Sequence, residues 1–365
     1  DAAATFMSDW SAPSGGDWAL HRGGAVFIEG SSNVTIEGCT FRRLDGSAIF
    51  LSRRTRGIII RRSVFEWLGE NAIATWGDAK GFDATNEDQP IGTVIEHNVM
   101  RELGIFQKQS SGVGHNKAAK TTITSNIMFN MPRAAINFND GLGGGDLVER
   151  NLIFNTCRES GDHGPINSWD RQPFLTKLRN GTASFVPLNR TITRNFIVAN
   201  YGASQGVDND DGSSWYHIKS NVFYTAEGFK MDYGGHDSLF EDNLVMSYPD
   251  KRGKCVGFGG FFPGHGHIVR GNTCLVSRSD DAIIYLSKCN GSNAILHNNF
   301  YFTPNGSASV ECGDQNSLMS FHQIQEMFGL ENKSSVQRTP KTTTQVIAWV
   351  TRTLFHDEHS ALSDS

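Results

Sequence analysis

One phrase constrains this chain more than any other. It returns as "VIEHNVM", "ITSNIMF", "VERNLIF", "ITRNFIV", "IKSNVFY", "FEDNLVM", "VRGNTCL" and "LHNNFYF". Each copy places an apolar residue, two mostly polar ones, an asparagine and then more apolar residues. The asparagines are Asn98, Asn126, Asn151, Asn195, Asn221, Asn243, Asn272 and Asn298, separated by 28, 25, 44, 26, 22, 29 and 26 residues. Two earlier copies, "IEGCTF" and "IRRSVF", put Cys39 and Ser63 in the same slot. The apolar positions follow strand spacing and no helical period fits them. Short strands recurring at about 25 residues describe an all-β solenoid, one coil per repeat. Stacked coils set like residues above one another, so an asparagine in every coil builds a side-chain amide ladder.

This pattern resembles the right-handed parallel β-helix of the pectin-lyase-like superfamily, over roughly residues 23–315. The resemblance implies about ten coils and a C-terminal capping segment. Within the superfamily, "GDHGPINSWDRQPF" and "VDNDDGSSWY" resemble β-helical glycoside hydrolases of the fucosidase/xylanase type and their uncharacterised relatives. Residues 1–22 read as a lead-in, part of a truncated cap, since family relatives carry more chain upstream. Residues 23–315 form the β-helix. The 44-residue step holds an inserted loop at about 170–188, and loops on a rigid scaffold are where binding concentrates. Residues 316–365 form the cap and tail. An uncovered coil is an open sheet edge, and "SLMSFHQIQEMFGL" offers Leu318, Phe321, Ile324 and Phe328 at helical spacing to cover it.

Composition narrows the function. With 33 Lys and Arg against 38 Asp and Glu, the net charge of −5 gives no nucleic-acid footprint. The cluster Arg53, Arg54, Arg56, Arg61 and Arg62 reads as a solvated strand edge. No apolar run approaches the roughly 20 residues of a membrane span. Sequons at Asn33, Asn180, Asn189, Asn290, Asn305 and Asn332, with six cysteines, point to a secreted glycoprotein. Cys289 and Cys312 fall at similar phases in adjacent coils and are expected to be bonded. Cys39, in a ladder slot, is expected to be buried and free.

Counting from each ladder asparagine puts acids on one side of four successive coils: Asp140, then Asp162, then Asp208, Asp210 and Asp211, then Asp232. Carboxylates on adjacent coils approach the roughly 5 Å of a retaining glycosidase pair, and wider spacings suit an inverting one. Crowding raises one of their pKa values, which supplies a proton donor. The leading pair is Asp162 with Asp210, and Asp232 substitutes for either. His163, Asp170, Lys230, His236 and the remaining acids would bind substrate. Trp169 and Trp215 would stack on sugar faces, and Arg171 would fix the inserted loop or clamp an acidic sugar. "KQSSGVGHNKAAK" supplies Lys108, His115, Lys117 and Lys120 as a basic wall.

"DNDDG" leaves Ca²⁺ open as a cofactor without meeting the EF-hand pattern. No metal ligand set stands out: His265 and His267 have no third ligand nearby in sequence, and the cysteines lack CxxC spacing. The expected function is a secreted polysaccharide-active enzyme, a glycoside hydrolase acting on a glycan. Two alternatives stand beside it. One is a structural or adhesive extracellular β-helix that assembles into a larger coat. The other is a uronate-directed lyase or epimerase using Lys230, His163 and Arg171.

Overall fold

The structure, a computed structural model, describes residues 10–11, 20–78, 86–139, 143–169, 188–198, 205–210, 212–232, 234–247, 253–261, 264–276, 282–289, 294–315, 317–339, 344–345 and 348. Three sheets of ten, eleven and twelve strands run along the chain, and each coil contributes one strand to each sheet in turn. One coil supplies Val94–Glu96, Val99–Arg101 and Val113–Asn116. The next pairs with it in parallel, Val94 on Thr122, Val99 on Ile127 and Val113 on Ile136. The result is a parallel β-helix. Alternation on each strand turns one row of side chains inward, so Ile60, Ile95, Ile123, Val148, Ile192 and Ile218 stack as one buried column.

The turn between the first two sheets is two residues long and explains the repeat. Its first residue is left-handed: His97, Ser125, Arg150, Arg194, Ser220 and Asp242 have φ of 53–56°. Its second residue is the ladder asparagine. Asn98 donates its backbone N–H and its Nδ2 to Asn126 Oδ1, at 2.9 and 3.0 Å, while Nδ2 also reaches Ile60 O at 2.9 Å. The same contacts recur from Asn126 through Asn272. The ladder amides from Asn98 to Asn272 are therefore satisfied, which a buried polar column requires. Ser63 and Cys39 do occupy the slot before it: Cys39 N donates to Ser63 Oγ and Ser63 N to Asn98 Oδ1.

Three expectations are corrected. The last asparagine rung is Asn299, whose Oδ1 accepts from Asn272 N and Nδ2 at 3.0 Å. Asn298 instead fills the left-handed slot, with φ 56°, a conformation asparagine tolerates. Cys39 is free, as expected, but exposed: it lies in the first described rung, with a coil on one side only. Leu318 belongs to the strand Ser317–Ser320, antiparallel to Ser309–Cys312, and is exposed.

A cap follows that strand. The helix Phe321–Phe328 starts at a capping box between Ser320 and Gln323, stops at left-handed Gly329, and buries Phe321 and Ile324. Beyond it, the ladder ends on polar side chains. Asn299 N donates to Ser334 Oγ at 2.8 Å, and Asn299 Nδ2 to Glu331 Oε2 at 3.1 Å. Cys289 and Cys312 are bonded, as the phase predicts, with Cα atoms 5.6 Å apart. A second bond joins Cys255 to Cys274, two residues the repeat had not singled out. Two disulfides favour an oxidising compartment. No described helix is long and apolar enough to cross a membrane.

Candidate functional site

The twelve-stranded sheet holds the strands Ile166–Trp169, Val207–Asn209, Phe229–Met231 and Val256–Phe258 side by side. Ile166, Val207, Phe229 and Val256 pair in one inward row. Strand alternation then turns the next row, Asn167, Asp208, Lys230 and Gly257, to the outside. Two residues on, the outward row is Trp169, Asp210, Asp232 and Gly259. Backbone bonds carry the ladder that far: Asp210 N to Ser168 O (2.8 Å), Asp232 N to Asn209 O (2.9 Å) and Gly259 N to Met231 O (2.7 Å). Asp210 and Asp232 thus sit on neighbouring rungs, about 4.8 Å apart backbone to backbone.

The two glycines open the cleft. A Cβ on Gly257 would meet nothing nearer than Tyr285 Cβ at 4.0 Å, and one on Gly259 would lie 2.4 Å from Asp232 Oδ1. Where the preceding rungs carry Lys230 and Asp232, these leave a space of about 330 Å³. It is lined by those two residues, the glycines, Gln205, Glu227, Lys254 and Tyr285. Gln205 Nε2 donates to Glu227, and Lys254 lies over the Tyr285 ring at 4.8 Å.

Lys230 Nζ bridges Asp208 Oδ1 at 2.9 Å and Asp232 Oδ2 at 2.6 Å. Burial alone would lower its pKa; the two carboxylates outweigh burial and hold it above the ordinary lysine value. Asp208 is fully buried. Burial pushes its carboxyl up to about 7 against the pull of Lys230, and the charges of Asp210 and Asp232 push the same way. Asp208 therefore keeps its proton up to near neutral pH, with Asp232 on the same ammonium and the charge of Asp210 close by. Against this group lies the loop before Ile166. Gly164 is packed so closely on Asp208 that a Cβ would come within 2.8 Å of Asp208 Cβ. His163, held by Ser160 Oγ, is pushed down to about 3 by burial and by the charges of Arg133 and Lys230.

The structure thus brings together His163, Asp208, Asp210, Lys230 and Asp232. Asp162 is exposed in the loop, five residues before Asn167. Among the described residues, no hydrogen bond or ion pair joins it to the group. The coil carrying it has a longer turn, so strand pairing puts Trp169, not Asp162, level with Asp210. Trp169 is buried, at 5% exposure. Trp215 is half-buried, 6.0 Å from the His236 ring, and left-handed at φ 65°. His236 turns to another corner of the coil and bonds Asp237. Asp140, Asp170, Arg171 and Asp211 lie outside the described residues, as do the sequons at Asn180 and Asn290. Asn33, Asn189, Asn305 and Asn332 are exposed.

The expected basic wall is corrected at His115. On the strand Val113–Asn116 it shares inward parity with Val113 and is fully buried. Its Nε2 lies 3.2 Å from Asp146 Oδ1, and Asp146 Oδ2 accepts from Arg190 Nε at 2.8 Å. Arg190 Nη1 donates to the Tyr216 hydroxyl at 3.0 Å. This network lies inside the coils. Lys108 pairs with Glu159, and Lys117 lies over the Trp76 ring.

No family model matches the chain, and no curated protein does. Among solved structures, a glycoside hydrolase aligns with 70% of this chain at 14% identity and a TM-score of 0.46. The chain spans 39% of the length of that protein.

Proposed function

We propose that the chain is a secreted polysaccharide-active enzyme that hydrolyses a glycosidic bond in the cleft beside Lys230 and Asp232. The observation that carries this reading is the grouping of Asp208, Asp210 and Asp232 with Lys230 on adjacent outward rungs at the edge of an open cleft. Glycoside hydrolysis needs a carboxyl acid beside a carboxylate partner, and neighbouring rungs provide the roughly 5 Å separation of a retaining pair.

In this reading Asp232, paired with Lys230, attacks the anomeric carbon. Asp210 delivers a proton to the departing glycosidic oxygen, then takes one from the water that releases the sugar. Asp208, enclosed beneath them, orients Lys230 and sets the local charge. His163, neutral at physiological pH, offers a hydrogen bond without repelling Lys230. The uronate lyase reading is less well supported, because a lysine held above its ordinary pKa is a poor proton acceptor.

The test is a glycan hydrolysis screen of wild type and the Asp210→Asn, Asp232→Asn and Asp162→Asn variants, each with a thermal melt. Asp210→Asn and Asp232→Asn are expected to melt like wild type and to lose turnover by at least about 10³-fold. Product released with its anomeric configuration retained identifies the double displacement. A wild type that cleaves no glycan sinks the enzyme reading, and full activity in both variants moves the chemistry elsewhere. Loss of activity in Asp162→Asn alone would restore the loop acid to the leading pair.

A further inference from the structure

Around the corner from the cleft, two adjacent coils bring three ligand-type side chains to one point. His236 and Asp237 follow the strand Phe229–Met231, and His265 precedes the strand His267–Arg270 of the next coil. His236 Nδ1 lies 2.9 Å and His265 Nδ1 2.7 Å from the same oxygen, Asp237 Oδ2. The two rings are 4.3 Å apart, centre to centre. One potential ligand atom from each residue lies within 4.8 Å of both others.

The backbone fixes this arrangement before any ligand arrives. His236 N donates to Ser214 Oγ at 3.1 Å, and its carbonyl accepts from Trp215 N at 3.1 Å. Asp237 N donates to Gly266 O at 2.9 Å, which ties the pair to the coil that carries His265. His267, two residues from His265, is not part of the group: it is buried and stacks on Phe258 at 4.7 Å. Burial is graded across the three. The His236 side chain is 6% exposed, Asp237 24% and His265 37%, so the group is walled on one side and open to water on the other.

We propose that His236, Asp237 and His265 bind a divalent transition-metal ion of the Zn²⁺ or Co²⁺ type. Two imidazoles and one carboxylate are a recurrent ligand set for such ions, and the solvent-facing side leaves a position for water. Ca²⁺ and Mg²⁺ prefer all-oxygen shells and would leave both imidazoles poorly used. Each neutral imidazole would move its proton from Nδ1 to Nε2, freeing an Nδ1 lone pair for the ion. Asp237 would supply the negative charge. An ion would sit at about 2.0–2.2 Å from each ligand atom, so the two nitrogens now bonded to Asp237 Oδ2 would move away from it as the ion enters.

The test uses the full, tag-free chain without glycan, so its outcome is independent of the hydrolase reading. After dialysis against a chelator, the protein is titrated with Co²⁺ and Zn²⁺ chloride by calorimetry, and Co²⁺ binding is followed by visible absorption. One saturable ion per chain is expected. Asp237→Asn and His265→Gln should each weaken binding by more than about 100-fold, beyond what removing an outer partner of a metal ligand costs. His97→Asn, at an exposed left-handed position, should bind like wild type. His265 is half-exposed, so His265→Gln should keep the fold, verified by its melt, and it decides the matter if Asp237→Asn unfolds. The proposal is overturned by no saturable binding at millimolar ion, by His265→Gln binding like wild type, or by Ca²⁺ binding as tightly as Zn²⁺.

Discussion

Two buried aspartates on this molecule meet opposite fates. Asp146, inside the coils, is held at about 2: burial would raise it, but His115, Arg190 and the Thr121 backbone N–H outweigh burial. Asp208, equally enclosed, is pushed up to about 7 by burial, which the lysine it shares with Asp232 does not offset, and the charges of Asp210 and Asp232 add to the rise. Burial is common to both, so the balance of partners decides. A carboxylate given more donors than it needs is fastened into the scaffold. One given too few keeps its proton up to near neutral pH, and carboxyls perturbed in this way cluster where acid–base chemistry is done.

The sharpest way to break this contrast is to neutralise each acid in turn. Asp146→Asn strands Arg190 in the interior and should cost about 3–5 kcal/mol in urea melts at pH 7. Asp208→Asn should cost less than about 1 kcal/mol, because Lys230 keeps Asp232 and a poorly compensated charge is removed. Equal costs would mean that the Asp208 group is as structural as the other.

The second effect is one of slope. Asp208 is raised in the folded chain, so between the two values the folded form holds a proton that the unfolded form has lost, and folding weakens as the pH rises. The stabilisation is complete below the unfolded value near 4 and is lost as the pH rises through about 7. Relative to Asp208→Asn, wild type should lose up to on the order of 4 kcal/mol between pH 4 and 7. Asp146 is depressed, so its contribution is present above about 4 and is lost as the pH falls through about 2. The difference between wild type and Asp146→Asn should therefore shrink on acidification. Parallel slopes from the two variants would refute the contrast.

The smallest effect on stability is expected from filling the cleft. Gly257→Val adds a side chain where only Tyr285 Cβ lies within 4.0 Å, and valine suits a strand. Unfolding free energy should shift by less than about 0.5 kcal/mol, while glycan cleavage falls at least tenfold. A variant that cleaves normally would show that sugar does not lie over Gly257.

Much of the fold was legible because an αL residue, a ladder asparagine and apolar flanks recur together. Where two asparagines stand side by side, at Asn298 and Asn299, composition alone could not say which turned inward, since either suits either slot. The outward cluster was legible in part. Asp208 and Lys230 lie in strands of equal length and Asp210 and Asp232 one residue past their ends, but Asp162 lies in a loop, and counting residues through a loop does not preserve register. His115 carried a usable signal, since it has the inward parity of Val113 two residues earlier. His236, Asp237 and His265 carried none, because their meeting depends on two adjacent corners of different length.

The ladder has a direction. Every asparagine from Asn98 to Asn272 donates its Nδ2 to the side chain of the asparagine that follows, and none donates to the side chain of the one before. The side-chain amides form a single file of aligned dipoles, a column in which each bond polarises the next. Such a file ends, as a helix begins, with N–H groups that want negative charge. Glu331 stands at that end, fully buried, accepting from Asn299, Tyr301 and Ser334. Its carboxyl caps the column as an aspartate caps a helix, so the polarity of the whole stack bears on the segment that closes it.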